Sequence, residues 1–190
     1  MKAVLLFLML ATAVTANAQY GEDGNTRAGR LRAGIGYVYD FPGMTGTAFH
    51  AGYSFSLNEW LQGGIGIKHI RESGYPRTHA VQEYTNANTL DFELLFVPLH
   101  TENTALRIGL GYTFSMYKIR RSYAVYTTHE GQPSDISYPV SNSKGNAHGA
   151  GLVAEYEYYF SDALSAGLKI QVTKAYDGII VGGPFVAIRL

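Results

Sequence analysis

The chain has 190 residues, 15 Lys and Arg against 15 Asp and Glu, a net charge of zero and no Cys. The balanced charge, without any long run of one sign, excludes a nucleic-acid partner, and the lack of Cys excludes disulfides as a source of stability. With 22 Gly, 15 Tyr and 9 Phe but only 6 Pro, the composition suits short alternating strands ending in aromatics.

The first element is a leader. Lys2 gives a basic start, Ala3 to Ala13 an apolar run without charge, and Ala16-Asn17-Ala18 an A-x-A cleavage site. The run is too short to span a bilayer as a helix, so residues 1–18 read as a secretory signal peptide. Residues 19–29 are short and polar and are expected to form a flexible tail, leaving residues 30–190 as one domain.

Eight segments then alternate apolar and polar residues with the period of a β-strand. In Arg30 to Asp40, Leu31, Ala33, Ile35, Tyr37 and Tyr39 oppose Arg32, Gly34, Gly36, Val38 and Asp40. Thr47 to Leu57 places Phe49, Ala51, Tyr53 and Phe55 on its apolar face. Leu61 to Ile70 sets Leu61, Ile65 and Ile67 against Gln62, Gly64, Gly66 and Lys68. In Thr89 to Leu99, Leu90, Phe92, Leu94 and Phe96 oppose Asp91 and Glu93. In Ala105 to Arg120, Leu106, Ile108, Leu110, Tyr112, Phe114 and Met116 oppose Arg107 and Gly109. Gly149 to Phe160 sets Leu152, Ala154, Tyr156, Tyr158 and Phe160 against Glu155 and Glu157; Leu164 to Lys174 sets Leu168, Ile170 and Val172 against Lys169 and Gln171. Ile179 to Leu190 ends the chain with Val186, Ile188 and Leu190 on one face.

The connections differ in kind. Asn58-Glu59, Thr101 to Asn103 and Ser161 to Ala163 are tight polar turns. Phe41 to Gly46 and Asp177-Gly178 are bends, while Arg71 to Asn88 and Arg121 to His148 read as long polar loops. Short turns on one side and longer loops on the other, with segments about as long as the roughly 9–11 residues a tilted strand needs to cross a bilayer, predict an all-β fold. The fold class is an eight-stranded antiparallel up-and-down transmembrane β-barrel. Under that topology the termini and tight turns share the periplasmic side.

Charge placement fits this fold, and the signal peptide, the alternation of tight turns with long loops and the aromatics at strand ends favour it over a two-layer sandwich. The apolar faces carry no Asp, Glu, Lys or Arg until Lys118 and Lys174 at the outer strand ends, where lipid phosphate and bulk solvent both remain open. The opposite faces carry Arg32, Lys68, Asp91, Glu93, Arg107, Glu155, Glu157, Lys169 and Arg189, predicted to fill a closed lumen with ion pairs. Asp91 and Glu93 are expected beside Arg107, and Glu155 and Glu157 beside Lys169. Tyr37, Phe49, Tyr53, Trp60, Phe96, Tyr158 and Phe160 are the candidate interface aromatics.

The run Leu90-Asp91-Phe92-Glu93-Leu94-Leu95-Phe96-Val97-Pro98-Leu99, the Gly-rich Ile108-Gly109-Leu110-Gly111-Tyr112 and Glu155-Tyr156-Glu157-Tyr158-Tyr159-Phe160-Ser161-Asp162 resemble the small outer-membrane β-barrel domain family, the OmpA/OmpX-like porin-type barrels of Gram-negative bacteria. The resemblance implies a cell-outer-membrane location, contact with outer-membrane lipid and lipopolysaccharide, and delivery to the barrel-assembly machinery through the C-terminal strand. That strand ends in Leu190 where the family usually has an aromatic, and Pro184 lies within it, so a bulge is expected at Gly182-Gly183-Pro184.

The first functional expectation is a monomer with a structural or surface-interaction role and no cofactor. A narrow channel for ions or small solutes is the alternative, and a lipid-modifying enzyme the third. His69, His79, His129 and His148 lie near the outer rim with Ser73, Ser122 and Ser143 and with Glu72, Glu83 and Glu130. They show no spacing of a known nucleophile–base pair or metal site, so neither catalysis nor metal binding is expected. Tyr75, Tyr84, Tyr123, Tyr126 and Tyr138 give the outer loops adaptable contact residues.

Overall fold

Alternation with period two drives each segment into a strand with one greasy and one polar face, and closing the sheet on itself removes every edge. The computed structural model describes residues 29–75, 81–129 and 132–190. The signal peptide, residues 19–28, His79 and Glu130 therefore lie outside the described residues, and so do the side chains of Tyr126 and His129.

Eight strands close one barrel: β1 (Arg30–Asp40), β2 (Thr45–Ser56), β3 (Leu61–Gly74), β4 (Glu83–His100), β5 (Thr104–Ser122), β8 (Val140–Tyr159), β9 (Leu164–Lys174) and β10 (Gly178–Arg189). All pairs are antiparallel, and β1 closes the ring on β10, with Arg30 opposite Arg189 and Asp40 opposite Ile179. A separate hairpin, β6 (Val125–His129) and β7 (Gln132–Ser137), sits between β5 and β8 as its own two-stranded sheet. No helix among the described residues is long and apolar enough to cross a membrane.

The burial pattern is that of a protein turned inside out. Leu31, Ile35, Phe92, Leu110, Leu152, Leu168 and Ile188 all point outward and are about half exposed, Leu110 at 64%. Lys68, Asp91, Arg107, Glu155 and Glu157 point inward and are buried, the two glutamates at 1%. Among the described residues no second layer covers the greasy faces of the ring.

Three expectations need correction. The segment expected as a loop from Arg71 to Asn88 is mostly strand, because β3 runs on to Gly74 and β4 begins at Glu83. Likewise β5 reaches Ser122 and β8 begins at Val140, with β6 and β7 inside the expected Arg121–His148 loop. Ladder bonding continues there while both faces turn polar, so the periodicity that marks a lipid-facing strand disappears. The expected bulge at Gly182-Gly183-Pro184 is also absent: β10 pairs β9 in unbroken register from Gly178 to Ile188. Pro184 points outward, and its missing N–H is absorbed by a gap in the β1 ladder at Ile35 and Gly36. Any side chain at Gly183 would overlap the Ile35 carbonyl, so glycine lets the two strands stay close across that gap. The irregularity falls instead on β4, between Phe96 and Leu99, where Val97 N–H donates to the Trp60 carbonyl at 2.9 Å.

Candidate functional site: the layered lumen

Inward side chains stack in tiers along the barrel axis. Nearest the termini, Glu157 accepts from Arg107 at 2.5 Å and from Arg30 at 3.1 Å, and the Ser165 hydroxyl donates to it. Tyr159 OH accepts from Arg107 at 2.7 Å and from Arg30 at 2.8 Å, joining the two guanidinium groups. One tier further in, Arg32 spans Glu155 at 2.5 Å and Glu93 at 3.2 Å. Lys169 bridges the same two carboxylates, pairing with Glu93 and lying 3.2 Å from Glu155. In the next tier, Lys68 meets Asp91 at 3.2 Å and donates to Gln171 at 2.7 Å, while Thr113 donates to Asp91 at 2.6 Å.

Eight of the nine expected lumen residues thus make ion pairs, in three stacked sets. Arg189 does not. It is exposed at the open end beside the termini and makes no ion pair among the described residues, because the strand ends before the wall can cover it. Glu155 lies beside Lys169 as expected, but other partners differ: Arg107 reaches Glu157 on its other neighbour, β8, not Asp91 or Glu93, and Glu157 is not paired with Lys169. Arg32 on β1 reaches Glu93 on β4 and Glu155 on β8, since long side chains in a narrow tilted cylinder reach across it as easily as to the next strand. Arg30 and Tyr159 join these sets unforeseen, and continuing the inward register by one or two positions would have found them; Gln171, already on the polar face of its segment, joins through Lys68.

Above the ionic tiers lies a layer that charge counting missed. Val38, Ala48, Ile70, Ala87, Ile179 and Val181 form a buried apolar cluster inside the barrel, with Tyr117 and Tyr176 packed on it, their rings 5.2 Å apart. One inward step further out, Val38 is followed by Asp40 and Ile70 by Glu72, and Asp177 precedes Ile179. Asp177 pairs with Arg121. Asp40 is tied into the β1–β2 turn, accepting from Gly43 N at 2.9 Å and Met44 N at 2.6 Å, where Gly43 adopts φ 104°. Among the described residues neither carboxylate oxygen of Glu72 finds a hydrogen-bond donor. Glu72 lies beyond the apolar band of the wall, and burial, followed by the nearby Asp40 and Asp177, pushes its carboxyl up to about 8. Burial likewise raises the Tyr176 phenol.

The lumen holds little space. Its cavity, among Arg32, His50, Lys68, Asp91, Glu93, Lys169 and Gln171, measures about 30 Å³, room for one or two waters.

On the outer wall, Trp60 stacks on Phe96 at 6.3 Å and Tyr158 meets Phe160 edge-on at 5.3 Å, both pairs toward the terminal end. Tyr53 stacks on Phe55 at 6.1 Å and is only partly exposed. Tyr37 and Phe49 stand exposed nearer the opposite rim. Of the rim histidines, His148 Nδ1 lies 2.5 Å from Tyr112 OH, and His69 Nδ1 lies 2.8 Å from Asn88 Oδ1. The described residues hold no grouping of His, Asp and Glu suited to a metal.

No family model matches the chain, and no curated protein matches it. Solved structures do. The N-terminal β-barrel domain of Pseudomonas aeruginosa OprF aligns with 86% of this chain and 98% of its own, at 12% identity and a TM-score of 0.48. Neisserial surface protein A gives 86% and 95% coverage at 12% identity and a TM-score of 0.48. Ail, the attachment invasion locus protein of Yersinia pestis, gives 86% and 98% at 14% identity and a TM-score of 0.46.

Proposed function

We propose that this chain is an outer-membrane β-barrel with a structural or surface-interaction role, its lumen closed to solutes. One observation carries the reading: a continuous belt of half-exposed apolar side chains encircles a cylinder whose charges are buried inside it. Water does not tolerate a greasy surface that large on a monomer, whereas a bilayer favours it and disfavours a basic residue at mid-depth on that face by about 2–4 kcal/mol. The closed ring pairs every barrel strand on both sides and leaves no open edge, as a hydrocarbon surrounding demands. A tier of ion pairs beneath a tier of packed apolar side chains leaves no continuous aqueous path, which favours the closed reading over the channel. The strands that continue past the belt raise the β6–β7 hairpin above the surface, where contacts with other molecules would be made.

The test is fractionation with a folding readout. The protein is expected in the outer-membrane fraction, migrating faster on a denaturing gel when unheated than when boiled. Recovery from the soluble fraction with no heat-dependent shift overturns the reading.

A further inference from the structure

The ionic side chains at outward positions of the described barrel strands are Arg71, Lys118, Arg120, Lys144 and Lys174; no carboxylate shares those faces. Four of the five gather on one side of the barrel. Strand register aligns Arg71 on β3 with Asn86 on β4, Asn86 with Lys118 on β5, and Lys118 with Lys144 on β8, a single row across four neighbouring strands. The row above holds Ser73, Tyr84, Arg120 and Asn142, and the row below His69, Asn88, Met116 and Asn146. One row lower, Ile67, Leu90 and Phe114 begin the apolar band.

Two features of this patch demand an anion. Lys118 and Lys144 stand directly opposite each other, an arrangement of like charges that destabilises a ladder unless something neutralises it. Among the described residues none of Arg71, Lys118, Arg120 and Lys144 has an ion-pair partner, although inward charges of the same barrel pair almost throughout. The anion's surroundings follow from the position. These side chains point sideways from the wall, immediately beyond the greasy belt, and not up into solvent. A ligand with negative groups at that depth and hydrocarbon directly beneath them is an amphiphile.

We propose that the outer wall of β3, β4, β5 and β8 binds the phosphate groups of a phosphorylated glycolipid through Arg71, Lys118, Arg120 and Lys144, its acyl chains lying on the apolar band below. Asn86, Asn88 and Asn146 supply neutral hydrogen-bond partners for sugar hydroxyls in the shallow recess they line with His69 and both lysines. The proposal rests on the outer-membrane reading and names the partner of that surface.

Native mass spectrometry of the purified full chain in a neutral detergent tests it, with bisphosphorylated lipid A as the probe. Retention of lipid A is expected, about tenfold weaker for enzymatically dephosphorylated lipid A and about tenfold weaker for K118Q/K144Q. R189Q, which removes a cation at the opposite end, is expected to bind as the wild type does. Equal retention of the two lipids overturns the proposal. So does wild-type retention by K118Q/K144Q, or displacement by an equal concentration of inorganic phosphate, which would mark a bare ion site. The dephosphorylated arm uses wild-type protein and stands even where the double variant fails to fold. A protein found outside the outer membrane sinks the earlier reading while leaving this measurement intact; one found there that ignores the phosphates sinks only this proposal.

Discussion

Glu155 shows what a single buried charge does in this barrel. Its carboxylate is shared between Arg32 at 2.5 Å and Lys169 at 3.2 Å, and nothing of it reaches solvent. Removing one partner of such a group strands the other's charge in a low-dielectric interior, at a cost of about 3–5 kcal/mol. Arg32→Met is therefore expected to lower the urea midpoint of the folded barrel strongly, and R32M/E155L to regain most of the loss, because the stranded charge leaves with its partner. A double variant no more stable than R32M argues that the pair is not the unit that matters. Glu72 behaves in the opposite sense. Its carboxyl titrates near 8 in the folded protein against 4.5 when unfolded, so the folded chain holds the extra proton between those values. Stability is unaffected by this group below about pH 4.5 and falls as pH rises toward 8. Glu72→Gln is expected to leave the midpoint unchanged at pH 4 and to raise it at pH 9. Equal effects at both pH values would remove Glu72 as the source.

Strands β5 and β8 are 19 and 20 residues long, about twice what a tilted strand needs to cross hydrocarbon. Their outer halves pair with each other from Met116–Asn146 to Ser122–Val140, and the β6–β7 hairpin continues from them as a sheet of its own. Because that hairpin shares no ladder with the ring, replacing residues 125–137 by a short Gly-Ser linker is expected to preserve heat-modifiable migration. Loss of the shift would show the hairpin to be part of the folding unit. These elements also mark how far the sequence could be read. The lipid-facing halves announce themselves through alternation of opposite extremes, Leu106 to Met116 being the clearest, since hydrocarbon outside and charge inside leave little freedom. Further out the outward positions turn polar as well, so Asn86, Asn88 and Lys144 no longer contrast with the inward face and their strand state becomes visible only in the ladder. The apolar tier was hidden for another reason. Val38 and Ile70 each sit singly on an otherwise polar face, β10 turns Ile179, Val181, Phe185 and Ala187 inward while its outward face is apolar too, and only closure of the ring brings Val38, Ile70, Ile179 and Val181 into contact. Partner choice among the lumen charges was equally out of reach, since Arg32–Glu93 and Arg32–Glu155 depend on the reach of side chains across the lumen and not on spacing along a strand.

At the scale of the molecule, the proposed closure rests on two unlike barriers in series. On that reading the ionic tiers exclude solutes by occupying the lumen with paired side chains, and the tier of Val38, Ala48, Ile70, Ala87, Ile179 and Val181 excludes water by offering it no hydrogen bonds. Resistances in series are governed by the largest, so opening either barrier alone leaves the other in control. In planar bilayers the wild-type barrel is expected to carry no steady current. Ile70→Ser, which wets the apolar tier, and Arg107→Ala, which loosens the tier at Glu157, are each expected to remain silent at the single-channel level. The combined I70S/R107A barrel is expected to show steady openings, provided its gel shift confirms folding, with the middle pairs of Arg32 and Lys169 keeping them small. Steady wild-type conductance would overturn closure altogether. Openings in I70S alone would assign the barrier to the apolar tier and reduce the ion pairs to a role in stability, and openings in R107A alone would do the reverse.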